Sequence, residues 1–231
     1  MYDEATGEPL DSARVTDVLT GLSILTSRTG TATLIFLPEG GSLVRIQKIG
    51  YETKTLMVAI SPVDTTPVTE MMTRVTVLAP VTVRDSAEPY LSPALRDFER
   101  RKRAGFGYFI DEAEMRKHDD WMMANLLTSR LPGLMPAPNA GRAAEYVVSA
   151  RTMCAGLALA RCMTPNCYPN VYVDGVRYTE PGSIAANAVD FSKWSPTQFA
   201  AAEFYSSLEV PEEFGGASAT CGVLLLWTRE R

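Results

Sequence analysis

The first third of the chain alternates short apolar stretches with turn residues about every 8 to 12 residues, a spacing typical of all-β domains. Ser42 to Ile49 alternates apolar and polar positions, as a strand with one buried face does. Residues 32–37 and 53–60 have a similar strand-like composition, and residues 68–83 are β-branched almost throughout. With no helical period in between, residues 1–83 are predicted to form an all-β sandwich.

The composition changes after Val83. Residues 84–97 include prolines and small polar residues, and we interpret them as a linker between two domains. Residues 94–103 suit a helix and carry a cluster of basic side chains. Such a cluster could meet anionic lipid or nucleic acid, but a solvated helix face is the simpler explanation.

Two further helices are predicted in residues 98–231. Asp111 and Glu114 have the spacing of a capping box, with the aspartate opening a helix and the glutamate returning to it. The pair Asp119 and Asp120 is predicted to cap a second helix, which Pro132 and Gly133 end. An apolar stripe marks the buried face of that helix: Met123, Leu126 and Leu127.

Strands follow the helices. Residues 171–173 run into Asp174 and Gly175, a turn with hairpin character, and residues 199–205 form the next strand. Residues 222–228 are apolar at almost every position, which is typical of a central strand covered on both faces. Residues 98–231 are therefore predicted to form a mixed α/β or α+β domain.

Composition sets broad limits on function. The chain has 231 residues, of which 46% are apolar and 21% charged, as in ordinary globular proteins. Its net charge of −5 argues weakly against nucleic acid as a partner. No apolar run is long enough for a transmembrane helix. Met1-Tyr2-Asp3-Glu4 is not a secretory signal, so we expect a leader upstream of this start.

The sequence offers no convincing catalytic set. Its single histidine, His118, stands in a charged helix junction, where a catalytic base is not expected. Asp174 precedes a glycine at a strand end, and turn chemistry explains it better than acid catalysis. No phosphate-binding loop, paired carboxylates or metal-ligand spacing stands out. We therefore predict a protein without catalysis, metal or cofactor.

The four cysteines all lie in the second half of the chain. An even number confined to one region suggests disulfides formed in an oxidising compartment, although four buried thiols in a cytosolic protein would give the same count. Zinc is disfavoured, because no CxxC pair occurs and the only histidine is far away.

The N-terminal region resembles the carboxypeptidase regulatory-like domain, a transthyretin-type β-sandwich. The resemblance is carried by residues 3–10 (DEATGEPL), by Ala13-Arg14-Val15, by Gly30, by the turn at residues 37–40 and by Ile49-Gly50-Tyr51. In that family a further strand precedes the acidic turn. Here the sequence starts at Met1, so we expect that first strand to be missing or truncated, which would leave a neighbouring strand with an unpaired edge.

The C-terminal region resembles the plug domain of TonB-dependent outer-membrane receptors. Matching segments occur in order at residues 106–110, 125–134, 169–176, 202–205 and 214–229. The resemblance implies one set of motif residues: Pro132, Gly133, Val171, Tyr172, Val173, Asp174, Gly175, Gly222 and Trp227. Receptors of this family continue into a transmembrane barrel, whereas this sequence ends at Arg231, so transport through this chain alone is not expected.

The plug resemblance also implies a disulfide pairing. If the strands that follow Cys167 and Cys221 are neighbours in one sheet, their leading ends meet when the strands run parallel, or when Cys167 folds back along the edge. We therefore predict a Cys167–Cys221 disulfide, with Cys154 and Cys162 as a second pair in a stretch rich in glycine and alanine.

Together these features favour a binding or interaction protein of the cell envelope, located in the periplasm or at the outer membrane. The resemblance implies TonB or an outer-membrane barrel as partners, or an unidentified small ligand or glycan. Residues 78–83 lie where such receptors carry the stretch that pairs with TonB by strand addition, although an ordinary linker strand explains them better. Two alternatives stay open: an accessory domain of a secreted carboxypeptidase or polysaccharide-active enzyme, and a receptor remnant without ligand.

Overall fold

The protein is β-rich, with few helices. Contacts within the chain divide it into two compact units, Met1–Tyr90 and Leu91–Arg231. The computed structural model describes residues 1–37, 40–60, 66–75, 92–137, 145–150, 166–180, 185 and 187–229. Most of the predicted linker, Cys154 and Cys162 lie outside these residues.

The first unit is built from short strands. Its main sheet has four strands in the order β3-β2-β4-β5, all antiparallel to their neighbours, and a separate two-stranded sheet pairs β1 with β6 in parallel. The strands are β1 Tyr2–Asp3, β2 Arg14–Asp17, β3 Ser23–Leu25, β4 Gly40–Gln47, β5 Lys54–Ile60 and β6 Met71–Met72. The sequence analysis expected the first strand to be missing or truncated, and the structure begins with β1, a strand of two residues.

The core of the first unit follows the predicted alternation. Val15 of β2 and Val44 and Ile46 of β4 are buried together, whereas Arg45 is only partly covered. Leu43 is an exception to the alternation. It lies on the same face of β4 as Arg45, yet it is also fully buried.

In the first unit, one strand prediction is wrong and another is only partly confirmed. Residues 32–37 form no strand; Leu37 N donates to Leu34 O (3.3 Å) in a turn, and Ile35 is 86% exposed. A local turn therefore replaces pairing with a neighbouring strand. Of residues 68–83, only Met71–Met72 is a named strand among the described positions, and residues 76–83 lie outside them.

The second unit contains a five-stranded sheet in the order β11-β10-β13-β12-β7, beside a two-stranded sheet of β8 and β9. Strand β13 pairs with β10 in parallel and with β12 antiparallel, and all six of its residues are buried. This confirms the predicted central strand. The strands are β7 Tyr108–Ile110, β8 Leu134–Pro136, β9 Val147–Ser149, β10 Asn170–Val173, β11 Val176–Tyr178, β12 Phe199–Tyr205 and β13 Val223–Thr228.

Among the residues that the structure describes, three α-helices accompany the sheet: α1 Pro93–Ala104, α2 Glu112–Arg116 and α3 Met123–Arg130. Ser92 is the N-cap of helix α1, and its hydroxyl accepts from Leu95 N (3.3 Å). Gly105 is the C-cap and has the left-handed conformation. Phe98 is the apolar residue that α1 buries in the main core, together with Tyr205 and Trp227. The predicted helix at residues 94–103 is confirmed.

The helix-cap predictions are partly corrected. Asp111 caps α2 by accepting from Glu114 N (2.9 Å), but the Glu114 carboxylate bonds Lys117 and His118. Helix α3 starts at Met122 without a side-chain cap, so the predicted cap by Asp119 and Asp120 is wrong. Asp119 does not cap the helix because its carboxylate forms an ion pair with Arg229.

Candidate functional site

The second unit buries one carboxylate inside its core. Glu203 lies in the middle of β12, between β13 and β7, and its side chain is 0% exposed. Arg101 of α1 reaches it with two bonds, from Nη2 to Oε1 (2.6 Å) and from Nε to Oε2 (3.1 Å). Trp227 Nε1 donates to Oε1 (2.7 Å) and the Tyr205 hydroxyl to Oε2 (2.6 Å). We call these four residues the Glu203 network.

The charged and polar groups of the Glu203 network bond one another. Burial disfavours the charge of Arg101, but hydrogen bonds and the charge of Glu203 outweigh it, so the pKa of Arg101 lies above its ordinary value. Burial, and then the bond to Glu203, raises the pKa of Tyr205 far above its ordinary value. The guanidinium also stacks over the rings of Trp227 (5.3 Å) and Phe214 (5.6 Å).

This arrangement suits a structural role better than catalysis. A carboxylate has about four lone-pair positions, and four donors occupy those of Glu203. A general base needs a free position that a substrate can reach. Sequence analysis did not identify Glu203. The sequence signal that could have identified it is a single charged residue in the otherwise apolar run FAAAEFY of β12. A fully buried glutamate needs a partner, so such a residue indicates a buried polar network.

The disulfide pairing is the predicted one. Cys167 and Cys221 are bonded, with Cα atoms 5.3 Å apart. Asn170 of β10 stands opposite Val223 of β13 in parallel register, so the two cysteines meet at the leading ends of neighbouring strands. Of the two geometries considered from sequence, parallel strands are the one found. The second candidate pair, Cys154 and Cys162, lies outside the described residues.

The plug-like motif residues around β10 lie side by side with those of β13. Val171, Tyr172 and Val173 pair in parallel with residues 224–226. Asp174, in the left-handed conformation, turns β10 into β11, and its carboxylate accepts from Thr228 N (2.9 Å) and Thr228 Oγ1 (2.7 Å). Asp174 therefore ties the hairpin turn to the far end of β13. Gly175 follows it in the turn with a positive φ of 80°.

Two motif glycines allow close packing at Phe204 and Tyr205 of β12. At Gly222, a Cβ atom would lie 2.4 Å from Tyr205 O, and the residue has a φ of 83°. At Gly133, which follows Pro132 after α3, a Cβ would meet the Phe204 ring at 3.2 Å. These positions need glycine for the approach of neighbouring chain segments.

His118 belongs to a charged cluster between α2 and α3. Its Nε2 is 3.1 Å from Glu114 Oε1 and 2.8 Å from Arg130 Nη2, and its ring lies 4.2 Å from that of Trp121. Arg130 Nε also contacts Glu114 (3.1 Å). The neighbours of His118 are therefore charged surface groups and an aromatic ring.

The first unit also buries carboxylates, those of Asp3 and Asp17. Asp3, at the end of β1, accepts from Ala5 N (2.8 Å), Thr6 N (3.0 Å) and Tyr51 OH (2.7 Å), and pairs with Arg74. The hydrogen bond from Tyr51, and then that from Arg74, holds the pKa of Asp3 well below its ordinary value. Asp3 thus links the first turn to residues from two later segments.

The described part of the chain shows no group of three or more His, Cys, Asp or Glu side chains that could hold a metal ion. In the same part, no helix is both long and apolar enough to cross a bilayer. Comparisons with protein-family models, curated proteins and solved structures found no match to this chain.

Proposed function

We propose that this protein is a non-catalytic binding or interaction module of the cell envelope, related to the plugs of TonB-dependent receptors. The observation that carries the proposal is the β10–β13 pair. Two motif segments, which begin at Asn170 and Val223, become parallel neighbours there, and the Cys167–Cys221 disulfide joins their leading ends. The plug resemblance implies that these strands are neighbours in one sheet, and the parallel register is one of the two geometries considered for them.

The disulfide supports the proposed compartment. Disulfides persist in the periplasm and in secreted proteins, whereas cytosolic thiols are usually kept reduced. Cys167 is 2% exposed, and the bond joins strands in the central sheet. A bond placed there serves the fold, which favours a stable structural disulfide over a transient redox centre.

The buried polar groups support a role without catalysis. Glu203 and Asp3 are the buried carboxylates with the most elaborate surroundings, and each is bonded by partners from distant segments of its own unit. His118 stands between Glu114 and Arg130. None of these three side chains is arranged with a partner as a nucleophile–base pair.

Binding to the purified C-terminal domain of TonB tests the partner that the resemblance implies. Isothermal titration calorimetry with the full chain should detect a complex if residues 78–83 add a strand to TonB. Val81→Pro removes a backbone donor from that segment and should abolish the heat of binding. Val68→Pro, at an exposed position outside the named strands, is the matched control and should bind as the parent does.

A second arm separates binding from catalysis. His118→Ala should leave the affinity for TonB, or for any periplasmic glycan found by screening, unchanged. Turnover of a peptide or polysaccharide that is lost in His118→Ala would contradict the proposal and favour an enzyme. Absence of binding to TonB, to glycans and to siderophores would favour the receptor remnant.

A further inference from the structure

Helix α1 presents two faces of different character. Arg101 and Lys102 point their charges toward carboxylates of the same unit: Arg101 bonds Glu203, and Lys102 Nζ lies 2.8 Å from Asp111. Phe98 is 2% exposed in the core, and Leu95 packs against that core. The basic cluster seen in the sequence is therefore divided, and these two cations belong to the packed side of the helix.

The remaining arginines of α1 form a separate stripe. Arg96, Arg100 and Arg103 follow one another at i, i+4 and i+7, which places them within about 60° of arc on a helix. Phe98 lies roughly 140° to 160° away from each of them around the axis. All three arginines are exposed. We call these residues the arginine face.

Acidic neighbours reduce the charge of the arginine face without cancelling it. Asp97 is 3.1 Å from Arg100, but the two side chains are 52% and 71% exposed. An ion pair exposed to that extent contributes little and is readily exchanged. Glu99 flanks the other side of the stripe, so the three arginines retain a net positive charge. This cation-rich strip belongs to a chain whose net charge is −5.

An exposed aromatic residue follows the arginine face in the sequence, three residues after Arg103. The helix ends at Gly105, and Phe106 follows with 68% of its surface exposed; Tyr108 of β7 is 41% exposed. Arginines next to an exposed phenylalanine are the combination by which peripheral proteins hold an anionic bilayer, with cations on the phosphates and the ring among the acyl chains. A purely solvated helix face needs no such aromatic neighbour.

We propose that the arginine face and Phe106 together form a docking surface for an anionic phospholipid bilayer. Phosphate-bearing headgroups match the guanidinium groups in charge and in bidentate geometry. Phe106 favours a bilayer over an extended nucleic acid, because an exposed phenylalanine can enter the acyl boundary of the membrane. The surface adds a lipid contact to the proposed envelope location and does not depend on binding to TonB.

Vesicle sedimentation with the purified full chain tests the proposal. The protein should sediment with vesicles of phosphatidylglycerol and phosphatidylcholine at about 0.05 M salt, and should be released at about 0.5 M. It should not sediment with vesicles of phosphatidylcholine alone. Arg96→Gln/Arg100→Gln/Arg103→Gln should lower partitioning at least about tenfold. Phe106→Ser should lower it a few-fold and leave its salt dependence in place.

The matched control removes the same charge elsewhere. Arg14, Arg28 and Arg116 are exposed and lie outside α1, so their triple change to Gln should leave partitioning near that of the parent. Equal loss in both triple variants would mean that overall charge alone drives binding, and would overturn the proposal. So would absence of sedimentation at low salt, or equal affinity for random-sequence DNA. Single variants Arg100→Glu and Arg103→Glu serve as the test if the triple variant does not fold.

Discussion

Cys167 and Cys221 are 54 residues apart in sequence, yet their Cα atoms lie 5.3 Å apart where the parallel strands β10 and β13 begin. Parallel neighbours cannot be joined by a tight turn, so the chain between them must cross over. The disulfide closes that crossover and holds the β10–β11 hairpin against the centre of the sheet. It therefore bears on both the fold and the proposed compartment.

Removing this disulfide should destabilise the second unit. For a loop of 54 residues the chain-entropy estimate is about 4 kcal/mol, and guanidinium unfolding of Cys167→Ala/Cys221→Ala should show a loss of about 2 to 4 kcal/mol. Each single variant already breaks the bond, so the double variant should cost little more than either single one. Additive losses would mean that packing of the side chains, rather than the bond, causes the effect.

Removing the negative charge from the Glu203 network should strongly lower the free energy of unfolding of the second unit. Glu203→Gln leaves Arg101 without its charged partner in the core, and we expect a loss of about 3 to 5 kcal/mol in unfolding free energy. Replacing both partners with apolar residues, in Arg101→Met/Glu203→Leu, should cost less than the single change.

Glu213 offers a matched control for that experiment. It contacts the same arginine at 3.4 Å, but its side chain is 55% exposed. Glu213→Gln should therefore change the unfolding free energy by no more than about 1 kcal/mol. A loss as large as that of Glu203→Gln would contradict the assignment of the stabilisation to the buried carboxylate.

Asp3 should make stability depend on pH. Its pKa in the folded protein is lowered by Tyr51 and Arg74 from an ordinary value of 3.8, so its stabilisation is present above that value and is lost as pH falls below it. Asp3→Asn should be less stable than the parent at neutral pH and should lose less on acidification. Urea unfolding between neutral pH and about pH 3 measures both slopes. Asp11→Asn, at a side chain 58% exposed, should follow the parent.

The junction between the units should be the first site of proteolysis. The contact division at Tyr90 and Leu91 falls within residues 84–97, which the sequence predicted to be a linker with few contacts. The last part of that range is corrected by the structure, because helix α1 begins at Pro93. Limited trypsin digestion followed by mass spectrometry should give fragments that end in this range. Early cleavage inside residues 165–230, with an intact junction, would contradict the two-domain prediction.

Local patterns predicted more of the fold than of the polar sites. The apolar run of β13 predicted a central strand, because that signal lies within a few consecutive residues. The Cys167–Cys221 pairing was predicted instead from the plug resemblance. The Glu203 network joins residues 102 positions apart in sequence, and no local pattern pairs Arg101 with Glu203. Asp119 was interpreted as a helix cap for the same reason: its partner, Arg229, is far along the chain.

The central claim, residence in an oxidising envelope compartment, is tested most directly by the redox state of Cys167 and Cys221 in intact cells of the source organism. Cells are quenched in acid, free thiols are alkylated before lysis, and non-reduced peptides are analysed by mass spectrometry. The proposal predicts a linked peptide pair containing Cys167 and Cys221, with almost no alkylation of either residue. Quantitative alkylation of both cysteines would place the protein in a reducing compartment and contradict the envelope assignment.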